Sequence, residues 1–496
     1  MEAPENIHTP HYINDNVHGR IGLTPLESDI IQTPTFLRLG RIQHLGLGSM
    51  VFPGATHTRL CHSLGTLHIM AEITVRLGLS AAEQEKLRLA ALLHDIGQYP
   101  LSHVLELAYR QAGPAPVPPA LLFQNPEVVE SLTDSSLGLQ CGAFAANPME
   151  HAKDKQMAKH VIALRPDLQD VLRAHNKGQD FIAEVVAIIT GAHECILFKQ
   201  LMDSDYDCDR LDYVMRDARM TGVKYGFIDL QYLIENLMVQ RDPPFSANRV
   251  LAVKKHRAVH ALEHYLTARY YMYSQVTFHR IVRSLEIVAR AVFRELMKRG
   301  RVYQNYLEII RKIPSDEFLL FDDTYFWTNV FASHQDSTRD DPLRSRIDRL
   351  LQKRGLTLVR EFRKVFDREK GASDQEYHNV KARLFDESSL QSLCNAAGVQ
   401  RSLVVVEEVP VAFVPISSSF SAKEIFSDPE NIRYAISISP RLYDEENQAT
   451  EFMLDDRSSI MYELSKLELR IVRVFLECDD KQACEKFRGV LRQRLQ

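Results

Sequence analysis

The stretch LRLAALLHDIGQYPLSH (87–103) decides the fold. It completes a helix that starts upstream. Ser80 reads as an N-cap, and Glu83 and Glu85 suit a first turn. The apolar positions of AAEQEKLRLAALLH (81–94) run straight into His94. The pair His94-Asp95 therefore closes an apolar helix, where ionisable groups are costly to bury unless something satisfies them. A divalent cation does so, and imidazole with carboxylate suits iron, manganese, cobalt, nickel or zinc. Neighbours on a helix point about 100° apart, so further ligands must arrive from elsewhere. His62, in ATHTRLCHSLGTLHIM, and Asp209, in DSDYDCDRLDYVMRD, are the candidates. By spacing alone each of these residues reads equally as a capped or paired polar group.

Outward from this helix the pattern stays mostly helical. Residues 1–22 read as an extended arm. From Ser28 to about Arg110 apolar residues recur three and four apart, with a new helix expected after Pro100. The stretch AGPAPVPPA (112–120) has four prolines in nine residues, which no helix interior tolerates. Residues 111–148 read either as an insertion or lid, or as a passive loop. Helical periodicity returns from His151 to about Ala192, across 195–240 and across 255–300. Between the last two, RDPPFSANRVLAVKK (241–255) reads as a turn with a short strand or hairpin. Residues 303–396 are charged and read as mostly helical. SLVVVEEVPVAFVPI (402–416), NIRYAISIS (431–439) and KLELRIVRVFLEC (466–478) favour strands. The expected fold class is mainly α with a small α+β C-terminal region. The expected division is an N-terminal arm over 1–27, a main helical domain over 28–300, a helical extension over 301–398 and the α+β region over 399–496.

A chain of 496 residues exceeds one simple core and suggests about two to four domains. No run approaches the roughly 18 apolar residues that span a bilayer. The N-terminal text MEAPENIHTPHYINDNVHG is polar and acidic, which predicts no secretory signal. A net charge of −5 argues against nucleic acid as a main partner. Seven scattered cysteines without a CxxC argue against a disulfide framework or a cysteine zinc site, and fit a reducing cytoplasm. Cys61 and Cys208, beside candidate ligands, read as small packing residues.

Four ordered blocks carry a family likeness. They are TPTFLRLGRIQHLGLGSMVFPGATHTRLCHSLG (33–65), LLHDIGQYPLSH (92–103), DSDYDCDRLDYVMRDARMTGVKYG (203–226) and ARYYMYSQVTFHR (268–280). With them the chain resembles the HD-domain deoxynucleoside triphosphate triphosphohydrolases over about residues 20–300. That class includes bacterial dNTPases and the sterile-alpha-motif/HD-type enzyme. The resemblance implies an HD-domain helical fold and one divalent metal ion held by His62, His94, Asp95 and Asp209. The ion's identity stays open among iron, manganese, magnesium, cobalt, nickel and zinc. It implies release of the whole triphosphate, leaving a nucleoside, by metal-assisted attack of water. It places Arg59, Arg210 and Arg269 around the triphosphate, where planar guanidinium forks match phosphate oxygens. Tyr213 becomes a nucleotide contact and Asp217 a sugar contact. Asp209, Tyr213 and Asp217 follow at helical spacing. His103 with Glu106 becomes the acid/base dyad that protonates the leaving group, and His151 another active-site histidine.

Departures from the family text matter. Gln98 in IGQYPLSH stands where the family has a histidine, and an amide carries no proton at neutral pH. His44 replaces a glutamine that contacts the sugar 3′-hydroxyl. Thr277 replaces a tyrosine stacked on the sugar, opening space beside the 2′ position. IQTPTFLRLG, with Gln32, Leu37 and Gly40, departs from the family's guanine-activator text, so that regulation is expected to be absent or changed. The family expectation is a homo-oligomer, dimer or tetramer. The leading function is hydrolysis of (deoxy)nucleoside triphosphates to nucleoside and tripolyphosphate. Two alternatives remain. One is an HD phosphohydrolase acting on a nucleoside monophosphate, a signalling nucleotide or a nucleic-acid end. The other is a nucleotide-binding regulatory protein with little turnover, which Gln98 favours.

Overall fold

A computed structural model describes residues 8–112, 153–241, 249–367, 375–412, 441–453 and 456–495. Most of the 111–148 stretch, His151, Cys141 and the 431–439 stretch lie outside the described residues.

The protein is mainly helical, and one pair of helices sets the frame. Arg59–Arg76 (α1) packs against Ala81–Leu93 (α2). Ser80 caps α2: its hydroxyl accepts from the Glu83 N–H, and the Glu83 carboxylate accepts from the Ser80 N–H. The last turns of α2, from Leu87 to Leu93, are entirely buried. A helix covered on all sides at its end belongs inside the molecule. His103–Ala112 (α3) follows after Leu101 and Ser102, whose φ values of 53° and 55° are left-handed. Asp154–Leu164 (α4) begins against Gly97 and Gln98, at the start of the segment that joins α2 to α3. Gln179–Ile189 (α5) packs on α2, and Cys208–Thr221 (α6) packs on α1. Lys255–Met272 (α7) ends in a π-turn at Tyr273–Thr277, a form common at functional positions. Arg280–Lys298 (α8) and Asp323–Asp336 (α9) complete the frame.

Strands tie this body together. The N-terminal arm, expected to be extended, is a hairpin of His11–Asp15 (β1) and Gly19–Leu23 (β2), turned at Gly19 with φ +74°. The expected hairpin near residue 241 is Leu237–Arg241 (β3) with Arg249–Lys254 (β4). It belongs to a four-stranded sheet ordered β3-β4-β7-β8, with Arg441–Asp444 (β7) parallel to β4 and Ala449–Phe452 (β8) at the edge. A three-stranded sheet places Leu467–Leu476 (β9) between Thr357–Asp367 (β5) and Val404–Ala412 (β6). The 301–398 stretch read as helical therefore contains a strand. β5 is paired from Thr357 to Asp367 with the buried β9, apart from an irregularity at Val359, and that long-range pairing outweighs its charged local text. One apolar core extends from Ile21 to Phe475, with a smaller cluster under the three-stranded sheet. Among the described residues the six cysteines are free, and no helix is long and apolar enough to cross a membrane.

Candidate active site

The buried end of α2 aims His94 inward. Its Nδ1–H donates to the Ala91 carbonyl at 2.8 Å, which fixes the tautomer and leaves Nε2 with a lone pair. That Nε2 is buried and has no hydrogen-bond partner. It lies 3.6 Å from Asp95 Oδ1 and 3.9 Å from Asp209 Oδ1. His62, on α1, is completely buried. Its Nδ1 bonds Asp212 Oδ2 at 2.7 Å, turning Nε2 toward Asp209 Oδ1 at 2.9 Å and Asp95 Oδ2 at 3.9 Å. Donor atoms of His62, His94 and Asp209 lie within 4.8 Å of one another. Three helix-borne or helix-ending segments thus bring the four sequence-predicted ligands together.

The electrostatics call for positive charge at this point. Burial opposes ionisation of His62, yet hydrogen bonds and charge from Asp209 and Asp212 outweigh it and push its pKa up to about 10. Burial likewise opposes the charged form of Asp95, but Arg59 and His62 hold its carboxyl well below the usual range. Asp209 is lowered too, against burial, by the His62 hydrogen bond and the positive charge of His62 and Lys155. An orphaned imidazole nitrogen beside the buried Asp95 and the half-buried Asp209 carboxylates is a donor set that fits a divalent transition-metal ion.

A supporting layer lies behind the donors. Asp212, one turn along α6 from Asp209, accepts from His62, from His18 Nε2 at 2.6 Å and from Arg216 at 2.9 and 3.0 Å. Arg216 also donates to Asp15 at 2.8 and 3.1 Å. Asp15 and His18 come from the β1–β2 hairpin. Gly65 permits the arrangement, since a Cβ there would clash with the Asp212 carboxylate and the Arg216 guanidinium. Sequence reasoning missed His18, Asp212 and Arg216. The one available signal was the Asp209/Asp212 spacing, which sets both carboxylates on neighbouring faces of one helix turn.

A cavity of about 790 Å³ adjoins the centre, with His44, Ser102, His103, Glu106, Asp154 and Thr277 among its lining. The His103 side chain is 68% exposed, and its Nδ1 bonds Glu106 Oε2 at 2.7 Å. The surrounding protein disfavours charge on His103, but the bond to Glu106 outweighs it and raises the pKa. Gln98 donates from Nε2 to Asp95 Oδ1 at 3.0 Å and to Asp154 Oδ2 at 2.6 Å. Asp154, at the start of α4, is a further carboxylate that sequence reasoning did not single out. Burial and the charge of Glu106 raise its pKa. Arg59 donates to Asp95 at 2.8 Å and to Ser102 Oγ at 3.0 Å.

The other sequence-predicted contacts do not line this cavity themselves but adjoin it through the lining residues His44 and Tyr273. Asp217 Oδ1 lies 2.7 Å from His57 Nε2 and 3.6 Å from His44 Nε2. Arg269 is buried, 3.4 Å from the Tyr213 hydroxyl and 4.0 Å from Asp205. Tyr213 also meets Tyr273 at 3.2 Å. Arg210 is turned onto Asp207 at 2.7 Å and onto the Ser204 carbonyl.

Comparison with known proteins bears on this geometry. Residues 59–126 match the HD domain, a span that includes His62, His94, Asp95, His103 and Glu106. An uncharacterized protein of Methanocaldococcus jannaschii is 30% identical over 58% of this chain and 50% of its own length. The deoxynucleoside triphosphate triphosphohydrolase SAMHD1 of Bos taurus is 41% identical over 44% of this chain and 37% of its own. The chain spans about half the length of the first of these relatives and less of the second. A hypothetical protein from Aquifex aeolicus shares the fold, with a TM-score of 0.66 at 21% identity, over 97% of this chain and 99% of that one.

Proposed function

For a chain that carries an HD domain and has deoxynucleoside triphosphate triphosphohydrolases among its homologues, we propose that this HD-superfamily phosphohydrolase cleaves (deoxy)nucleoside triphosphates to nucleoside and tripolyphosphate. The observation that carries the reading is the convergence of His62, His94, Asp95 and Asp209 beside a cavity edged by His103 and Glu106. His62, His94, Asp95 and Asp209 would hold one divalent cation. Such an ion supplies Lewis-acid polarisation of the attacked phosphoryl group and neutralises its charge.

The chain's own residues do the rest. Glu106 fixes Nδ1 of His103, so Nε2 faces the cavity and can deliver a proton to the leaving group. Arg59, held by Asp95 and Ser102, offers guanidinium donors near the same wall. Arg210 and Arg269 extend the positive field toward the polyphosphate tail. His44 and Asp217 form the sugar-facing pair, and Thr277 leaves room beside the 2′ position, so ribonucleotides join the candidate substrates. A homo-oligomer and a cytoplasmic location complete the proposal.

The test is direct. Metal content is measured by elemental analysis, and the eight common dNTPs and NTPs are incubated with wild type and Asp209→Ala. Wild type is expected to yield nucleoside and tripolyphosphate, and Asp209→Ala to lose turnover by about 10³-fold or more. Products limited to orthophosphate or nucleoside monophosphate would point to another phosphoester. Binding without hydrolysis in metal-loaded protein would favour the regulatory reading.

A further inference from the structure

Asp323, in the stretch beyond residue 300, reaches into the frame of the cavity. It is the first residue of α9, and its carboxylate is buried. Oδ1 accepts the Leu101 N–H at 2.6 Å, and Oδ2 accepts the Gln43 N–H at 2.9 Å. These two amides belong to different loops. Leu101 lies in the turn between α2 and α3, which carries Gln98 and leads into His103. Gln43 directly precedes His44. Asp323 is not spent on its own helix, because Asp322 is the N-cap and accepts the Thr324 N–H at 2.8 Å.

The held backbone is of a kind that needs holding. Leu101 and Ser102 both sit at left-handed φ, which residues with a side chain rarely keep without outside support. Ser102 Oγ donates to the Gln43 carbonyl at 2.8 Å and accepts from Arg59 Nε at 3.0 Å. The two loops are thereby bonded to each other and to a candidate phosphate ligand. Arg38, fully buried, runs parallel to this clamp. It donates to the carbonyls of Ile96 at 2.7 Å, Gln98 at 3.0 Å and Phe321 at 2.6 Å. Arg41 pairs with Asp322 and donates to the Leu319 carbonyl.

We infer that Asp323 is a positioning residue that clamps the His44 loop to the Gln98–His103 turn, making the stretch after residue 300 part of the active-site frame. The inference rests on reading this cavity as a phosphohydrolase site. A carboxylate suits the task because each oxygen takes one N–H. An amide of the same shape keeps one acceptor and turns an NH₂ donor against the other N–H.

The test is Asp323→Asn in the full, metal-loaded chain. Hydrogen exchange is followed by mass spectrometry in peptides covering 41–46 and 96–104, with α1 and β9 peptides as references. Both loop peptides are expected to exchange about tenfold faster while the references hold. Bound metal is expected to stay constant, and kcat/KM to fall about 10- to 100-fold, mainly through kcat. Unchanged exchange in either loop overturns the inference, as does activity within about twofold of wild type. If the variant does not fold, fragment-resolved exchange of the wild-type Leu101 and Gln43 amides decides. Both should exchange at least about 100-fold slower than open-loop amides, and open-loop rates at either overturn the clamp. If wild type turns over no nucleotide, the functional proposal falls while loop exchange still judges Asp323.

Discussion

At the residue scale the question is what keeps two imidazoles and two carboxylates ready for a cation. His62 depends on Asp212, which accepts its Nδ1–H and leaves Nε2 for the metal. Asp212→Asn keeps the shape but removes the charge that His18 and Arg216 also share. Metal affinity, measured by competition with a chromophoric chelator, should fall about 10- to 100-fold. An affinity equal to wild type would remove Asp212 from the support of the site. Asp209 was legible from the sequence only because a family block surrounds it. Asp212 stands in the same block, yet its role could not be read. Beside the local Arg216, its partners are His62 and His18, distant in the chain, and nothing local marks an aspartate as bonded to both. Asp323 was hidden for the same reason, since both of its bonds go to backbone amides that carry no side-chain signature.

At the element scale the local signals were strongest where local physics decides. The capping box at Ser80 and the apolar run to Leu93 place α2 and set His94 at its end. The strand Arg249–Lys254 was also readable from its β-branched residues. The hairpin over His11–Leu23 was not, because pairing of β1 with β2 leaves a polar, weakly alternating text. That hairpin has a structural consequence: it delivers His18 and Asp15 to Asp212 and Arg216. His18→Ala should leave the hairpin paired, because Ile21 and Leu23 still reach the core. Metal affinity should fall by about tenfold, less than for Asp212→Asn, since His62 keeps its own bond. Circular dichroism and metal titration of the variant would check this, and an unchanged affinity in a folded variant, or a loss of fold, would contradict it.

At the scale of the whole molecule the sequence texture suggested a C-terminal region from residue 399, with a helical extension before it. The packing joins what that texture separated. β7 continues the β3–β4 sheet through Val253↔Leu442, and β9 binds β5 from the preceding stretch. Strand partners this far apart leave no short-range pattern to read. α7, which bears Arg269, is braced at both ends from the C-terminal side. Lys255 pairs with Glu451 and Asp456, Glu263 accepts from Ser459, and Arg473 donates to the Phe278 carbonyl just beyond the π-turn. Truncation after residue 398 would remove these braces, leave β5 without its partner and bare one edge of β4. Exposed strand edges and apolar faces of this kind favour association. The truncated chain is therefore expected to be largely insoluble, and any soluble fraction to melt lower than the full chain by about 5 °C or more. Size-exclusion chromatography and a thermal melt of the full and shortened chains measure this. A soluble, monodisperse product with an unchanged midpoint would mean that the C-terminal region is separable after all, and that α7 holds Arg269 in place without it.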